Sequence, residues 1–331
     1  MKDPVVIICV FILAVLLLAA VILSVSYITY RMAFKRRRDE YDPLHGLDAP
    51  YYGDKGELCR EMISRLLDIE YEEVSILSRD GLTLSGRLYR GDEGAPLEIE
   101  CHGYKSHPCR DFSGGAIEAI ESGRTVLLIH QRAHNRSEGN TISFGIKESD
   151  DLVLWVEWAR ERFGKDIPIL LTGISMGAAT VIMAAGKNLP ENVRCVIADC
   201  PYSSIRDILC READKMGIPS RLAYPFLRLG AKIFGGFDPS ADSPEEAITR
   251  ATLPVLLIHG ENDNLVPEYM TERIRAARPE GTARITFPDA DHGMSYVVDR
   301  EKYMTEVGRF LDEHLYNSTS IYTKDGETSG I

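Results

Sequence analysis

The sequence predicts an α/β protein built on a mostly parallel sheet covered by helices on both faces. Two observations predict it. Short, continuous apolar runs recur through the chain: "TVLLIHQR", "IPILLTGIS", "VRCVIADC" and "LPVLLIHG". Strands buried on both faces read this way, whereas half-exposed strands alternate. Helical segments such as "KESDDLVLWVEWARERFG" and "MGAATVIMAAGKN" stand between the runs, and that rhythm belongs to a parallel sheet. A composition of 44% hydrophobic and 27% charged residues fits a folded globular chain.

The elements follow in order. Val5–Leu23 is an apolar run of 19 residues, with no charge until Arg31. At about 1.5 Å per helical residue it spans roughly the 30 Å hydrocarbon core of a bilayer. A cleaved signal peptide would have a shorter apolar core of about 7–15 residues, preceded by basic residues. Here the basic cluster follows the run, as Arg31, Lys35, Arg36, Arg37 and Arg38, with only Lys2 before it. The expectation is a single transmembrane helix over 4–30, with the long C-terminal part on the cytoplasmic side of the cell membrane. Seven scattered cysteines fit reduced thiols there.

Residues 31–69 read as a basic collar, a linker rich in Pro, Gly and Asp, and a short helix in "ELCREMISRLLDI". Two alternating strands then surround a turn at Arg79-Asp80-Gly81. One α/β domain extends over 70–315, and 316–331 is a polar tail. An insertion at about 203–250 has no clear strand but several aromatic and aliphatic residues, as a cap or lid over a site would. Without residues 1–38 the body holds 32 basic against 49 acidic residues, a net −17. That acidity argues against a nucleic-acid partner. "CHGYKSHPC" has a superficial look of a metal site, but other signals account for it.

The chemistry centres on "LLTGISMGAAT". Ser175 stands where a buried strand ends and a helix begins. A sharp turn there pushes the hydroxyl out of the fold and strains the serine backbone; Gly173 and Gly177 keep the flanks small enough for it. Serine needs a base, and the base needs an orienting acid. His292, in "FPDADHGMSY", follows the last predicted strand; Asp263, in "HGENDNLVP", follows the strand before it. The order Ser, Asp, His is that of the nucleophile-elbow motif. Asp199 at another strand end is the alternative acid, and Asp289 and Asp291 read as turn formers. His102 reads as shaping a loop, His130 and His134 as loop hydrogen-bonders, and His259 as structural. Cys101 and Cys200 read as buried thiols.

These motifs, with "CHGY", give a chain that resembles the serine hydrolases of the α/β-hydrolase superfamily, within the esterase, acylaminoacyl-peptidase and lysophospholipase-like group. The resemblance covers roughly 70–315 and implies a Ser175–Asp263–His292 triad. It also implies an oxyanion hole from the backbone N–H groups of Met176 and Tyr104. The usual D-x-R-G-x-G-x-S segment is here "HQRAHNRSEG", with His130 in place of the acid and Asn135 in place of a glycine. The expected activity is cleavage of a carboxylic ester or related acyl bond in a small-molecule substrate, without metal or organic cofactor. A peptidase or acyl-thioesterase would use the same groups, and a catalytically silent interaction module is the alternative from another class.

Overall fold

The computed structural model describes residues 3–36, 42–49 and 52–316. Lys2, Arg37, Arg38 and the tail after Tyr316 lie outside the described residues, and so does what the sequence suggests of them.

Helix α1 runs Pro4–Ala33. Asp3 caps it, accepting a hydrogen bond from the Val5 N–H at 3.0 Å, and Pro4 occupies the first turn, where no backbone donor is lost. The helix is long and apolar enough to cross a membrane, and none of its most apolar 18-residue window is buried among the described residues. It continues three residues beyond the expected end, into the basic collar. Ser26, Tyr30 and Phe34 are buried, four residues apart on one face. Tyr30 and Phe34 join a core cluster with Phe144, Leu227 and Phe237. The charged collar hides this inward face in the sequence, because the apolar side chains come one per turn among cations.

Eight strands form one sheet: β1 (Glu72–Leu77), β2 (Thr83–Tyr89), β3 (Leu97–Cys101), β4 (Thr125–Ile129), β5 (Ile169–Ile174), β6 (Val193–Asp199), β7 (Val255–Gly260) and β8 (Thr282–Phe287). Their order is β1-β2-β4-β3-β5-β6-β7-β8, antiparallel at the first two pairings and parallel thereafter. The helices after α1 are α2 (Gly56–Asp68), α3 (Pro108–Asp111), α4 (Ser113–Glu121), α5 (Glu148–Phe163) and α6 (Met176–Ala185). The insertion between β6 and β7 contributes α7 (Ile205–Lys215), α8 (Ser220–Gly230), a π turn (Ala231–Gly235) and α9 (Pro244–Ile248). Helices α10 (Tyr269–Ala277), α11 (Ser295–Val298) and α12 (Arg300–Leu311) complete the set.

The core has two sides. Leu152 and Trp155 of α5 and Val181 and Ile182 of α6 pack on one face, against Ile99, Leu127 and Leu171. Residues of α2, α4 and α12 cover the other. The chain steps from β3 to β4 on one side and then crosses to β5 on the other. Loops leaving β3 and β5 therefore diverge, opening a crevice at the carboxyl ends of the strands.

Candidate active site

Ser175 sits at that crevice, between β5 and α6. Its backbone adopts φ 57° and ψ −115°, a region unfavourable for a side chain bearing Cβ. The surroundings hold it there. Its N–H donates to the Asp199 carbonyl at 2.8 Å. A Cβ on Gly177 would lie 1.7 Å from the Cys101 carbonyl oxygen, and one on Gly173 would lie 2.3 Å from the carbonyl oxygen of Gly177. Only glycine at both positions lets α6 press against β3 and β5 and turn the serine outward.

The three residues separated by up to 117 positions meet. His292 Nε2 lies 2.8 Å from Ser175 Oγ, and His292 Nδ1 lies 2.7 Å from Asp263 Oδ2. The Nδ1–H donates to the carboxylate, which leaves the Nε2 lone pair facing the serine hydroxyl. The loop is fixed by Asp291, whose Oδ1 accepts from the His292 N–H at 2.8 Å and from the Asn264 N–H at 3.1 Å. Asp263 Oδ1 accepts from the N–H groups of Leu265 (2.9 Å) and Val266 (2.7 Å). Burial opposes ionisation of Asp263. Hydrogen bonds from His259 and His292, the charge of His292 and the Val266 N–H outweigh it and hold the carboxyl well below the usual carboxylate range.

The alternatives separate clearly. Asp199 offers its carbonyl to Ser175, not its carboxylate to His292, and its Oδ1 has no partner among the described residues. Burial pushes its pKa up to about 6, against the lowering charges of His259 and His292. Asp291 is a turn former, and Asp289 is exposed.

Met176 opens α6 directly after the serine; as the first residue of the helix its N–H has no acceptor within it. The segment after β3 closes over Ser175: a Cβ on Gly103 would lie 3.5 Å from Ser175 Cβ. Tyr104 follows, with its ring 4.9 Å from Phe144 and its hydroxyl donating to the Ala33 carbonyl at 2.7 Å. The end of α1 thus ties to the loop that carries the second expected oxyanion donor. Lys105 Nζ adds a bond to the Met32 carbonyl at 3.2 Å.

His102 and His134 hold this region. In each, Nδ1–H donates to a carbonyl, of Gly103 (2.8 Å) and Arg132 (2.9 Å), and Nε2 accepts a backbone N–H, from Gln131 (3.2 Å) and Lys105 (3.0 Å). His130 departs from the sequence expectation. Neither ring nitrogen finds a hydrogen-bond partner among the described residues, and burial holds its pKa well below the usual imidazole value. It packs its ring 5.5 Å from that of His107. Asn135 and Ala133 have φ of 44° and 61°, which is why glycines suit this loop.

Sequence reasoning missed three features. His259 is fully buried, with Nε2 2.8 Å from the Val266 carbonyl and 3.3 Å from Asp263 Oδ2, so it braces the acid. Cys200 is a buried thiol as expected, but it has φ 49° and its Sγ lies 3.9 Å from His292 Nε2. Sequence gives no signal for either contact. Cys200, Asp263 and His292 bring potential metal-ligand atoms within 4.8 Å of one another, yet both His292 nitrogens already face Asp263 and Ser175. The third is the cavity floor. A cavity of about 610 Å³ runs from Ser175 and His292 to Glu98 and Glu100 of β3. Glu98 is held by Arg124 (3.1 Å) and Thr172 (2.8 Å). Glu100 finds no such partner among the described residues; burial and the neighbouring Glu98 charge push its pKa well above the usual carboxylate range. The alternation of "LEIEC" was the available signal.

Residues 101–221 match the family model described as alpha/beta hydrolase fold. YqkD, an uncharacterized protein of Bacillus subtilis (strain 168), is 31% identical over 215 residues, covering 65% of this chain and 70% of that protein. The esterase Pf2001 of Pyrococcus furiosus superimposes with a TM-score of 0.60 at 27% identity, over 76% of this chain and 94% of that one. The acylaminoacyl peptidase of Pyrococcus horikoshii shares the fold with a TM-score of 0.54 at 18% identity, over 82% of this chain and 45% of that one.

Proposed function

The chain belongs to the α/β-hydrolase family, and on that premise we propose that it is a membrane-anchored serine hydrolase that cleaves a carboxylic ester. The observation that carries the reading is the continuous chain of contacts from Ser175 Oγ through His292 to Asp263, at 2.8 and 2.7 Å. In the proposed reaction Ser175 Oγ attacks the carbonyl carbon while His292 Nε2 takes its proton. Asp263 keeps the imidazole in the right tautomer and stabilises its cation. The N–H groups of Met176 and Tyr104 receive the developing oxyanion. His292 then gives its proton to the departing alcohol, leaving an acyl-serine. A water molecule, deprotonated by His292, attacks the acyl carbon; the bond to Ser175 Oγ breaks, His292 returns the proton to that oxygen, and the acid leaves.

Helix α1 is the proposed anchor, with the catalytic domain on the cytoplasmic side, since the cations follow the apolar span. The 27% identity to an esterase over most of that structure favours ester over amide cleavage. A fluorophosphonate probe tests the reading: it should label wild type at Ser175 and fail on Ser175→Ala. Well-folded wild type that neither labels nor hydrolyses p-nitrophenyl esters, peptide amides or acyl thioesters would refute it. Activity on the amides or thioesters alone would move the assignment to a peptidase or thioesterase.

A further inference from the structure

The cap carries an apolar surface that the proposed reaction does not use. We propose that α8 and the π turn after it lie in the membrane interface beside α1, so that the bilayer holds the cap as well as the anchor. This rests on the reading of α1 as a membrane-spanning helix.

The contact between the two helices sets the level. Along α1, Ile22, Val25, Ser26, Thr29 and Tyr30 are wholly or partly buried, while their neighbours on the other side stay exposed. They recur at i, i+3, i+4, i+7 and i+8, one helix face. The contact is close: a Cβ on Gly230, the last residue of α8, would lie 2.2 Å from the Ser26 carbonyl oxygen and 3.1 Å from Tyr30 Cβ. Glycine allows such backbone approach between helices at a membrane. The apolar run ends at Leu23. The packed face therefore starts in the last turn of the span and continues past it, which is the depth of the headgroup region.

The outward side of α8 has the character of an interfacial helix. Leu222, Phe226, Leu229 and Ile233 fall at i, i+4, i+7 and i+11, forming one stripe. Leu222 is 59% exposed and Ile233 51%. A second stripe, Arg221, Arg228 and Lys232, runs at i, i+7 and i+11 and is exposed. Arg228 and Lys232 also pair with Asp238, at 2.8 and 3.3 Å. Apolar and basic stripes side by side suit the boundary between acyl chains and anionic headgroups. Phe234 ties the surface to the anchor: its ring lies 5.0 Å from Tyr27, and the Arg31 guanidinium lies 5.9 Å from the same tyrosine. Aromatic rings one turn beyond an apolar span, with a cation one turn further on, form an interfacial belt. The bilayer is thus the occupant that continues from α1 onto this patch.

The placement bears on the site. Lys215, the last residue of α7, and the exposed Leu265 line the catalytic cavity, and the chain runs from Lys215 straight into exposed Met216 and Ile218. The cavity lining thus adjoins, along the chain, the exposed apolar segment that leads into α8.

The test uses the full chain in nanodiscs of phosphatidylcholine and phosphatidylglycerol with brominated acyl chains. Leu222→Trp and Ile233→Trp are compared with Leu77→Trp, an exposed position on the β1 edge, after subtracting the signal of the native tryptophans. Melting curves check that each variant is folded. The expected result is bromine quenching at 222 and 233 about threefold or more above that at 77, as burial at the acyl boundary requires. Equal quenching at all three positions, with α1 present by intact mass, overturns the proposal and leaves the anchor standing. Loss of residues 4–33 from the mature chain overturns both. Concentration-dependent crosslinking through 222 and 233 without quenching overturns it in favour of a second copy. The result is independent of fluorophosphonate labelling, so failure of the serine reading is seen separately.

Discussion

Phe34→Ala should destabilise the catalytic domain although Phe34 follows the apolar helix directly. Its side chain is fully buried. The ring packs edge-on against Phe144 (5.7 Å) and Phe237 (5.2 Å), linking the helix end to the loop before α5 and to the cap. Deleting a buried phenylalanine ring costs about 3–5 kcal/mol, through lost transfer energy and the cavity left behind. Domains of roughly 150–250 residues lose about 2–4 °C of Tm per kcal/mol. A fall of about 6–20 °C follows, measured by the melting of the full chain in detergent micelles or nanodiscs. Phe11→Ala is the control. Phe11 is 69% exposed on the same helix and should leave the domain's Tm within about 2 °C of wild type, the range of ordinary surface changes. If Phe34→Ala also stays in that range, the helix end is not part of the domain core, and the tie from Ala33 to Tyr104 loses its footing.

Asp263→Asn should lower kcat about 10³–10⁴-fold with little change in KM, because the amide favours the wrong imidazole tautomer; steady-state kinetics on a p-nitrophenyl ester will show it. Gly177→Ala should give little folded, fluorophosphonate-reactive protein in detergent extracts, since its Cβ would meet the Cys101 carbonyl oxygen at 1.7 Å. Asp199 has a folded pKa of about 6, above the ordinary 3.8, so the fold favours the neutral acid. That contribution is complete below about pH 4 and is lost as pH rises through 6. Asp199→Asn cannot ionise, so its Tm relative to wild type should improve from about pH 5 to pH 8; a difference independent of pH would refute the assignment.

How much of this was legible depended on range. The sheet could be read because "TVLLI", "ILLTGI" and "VLLIHG" are buried on both faces, which is a local property. The elbow could be read because its two glycines and serine are neighbours in sequence. Asp263 and His292 could be paired with it because each closes a strand whose carboxyl end must face one rim. Contacts that depend on how helices lie across one another left no such trace. Gly230 looks like an ordinary helix terminus until Ser26 is seen against it. His259 looks like the end of a strand until the Asp263 loop folds back onto it. Glu98 and Glu100 left a faint trace as charges in a buried strand, but their meaning needed the gap above them.

The unbroken helix from Pro4 to Ala33 has a mechanical consequence. With no slack between span and core, a body carried on it in a bilayer cannot wander as if on a leash. On the proposed reading of this helix as an anchor, the crevice that holds Ser175 stays at one height above the bilayer, and the substrates within its reach are those that enter that layer.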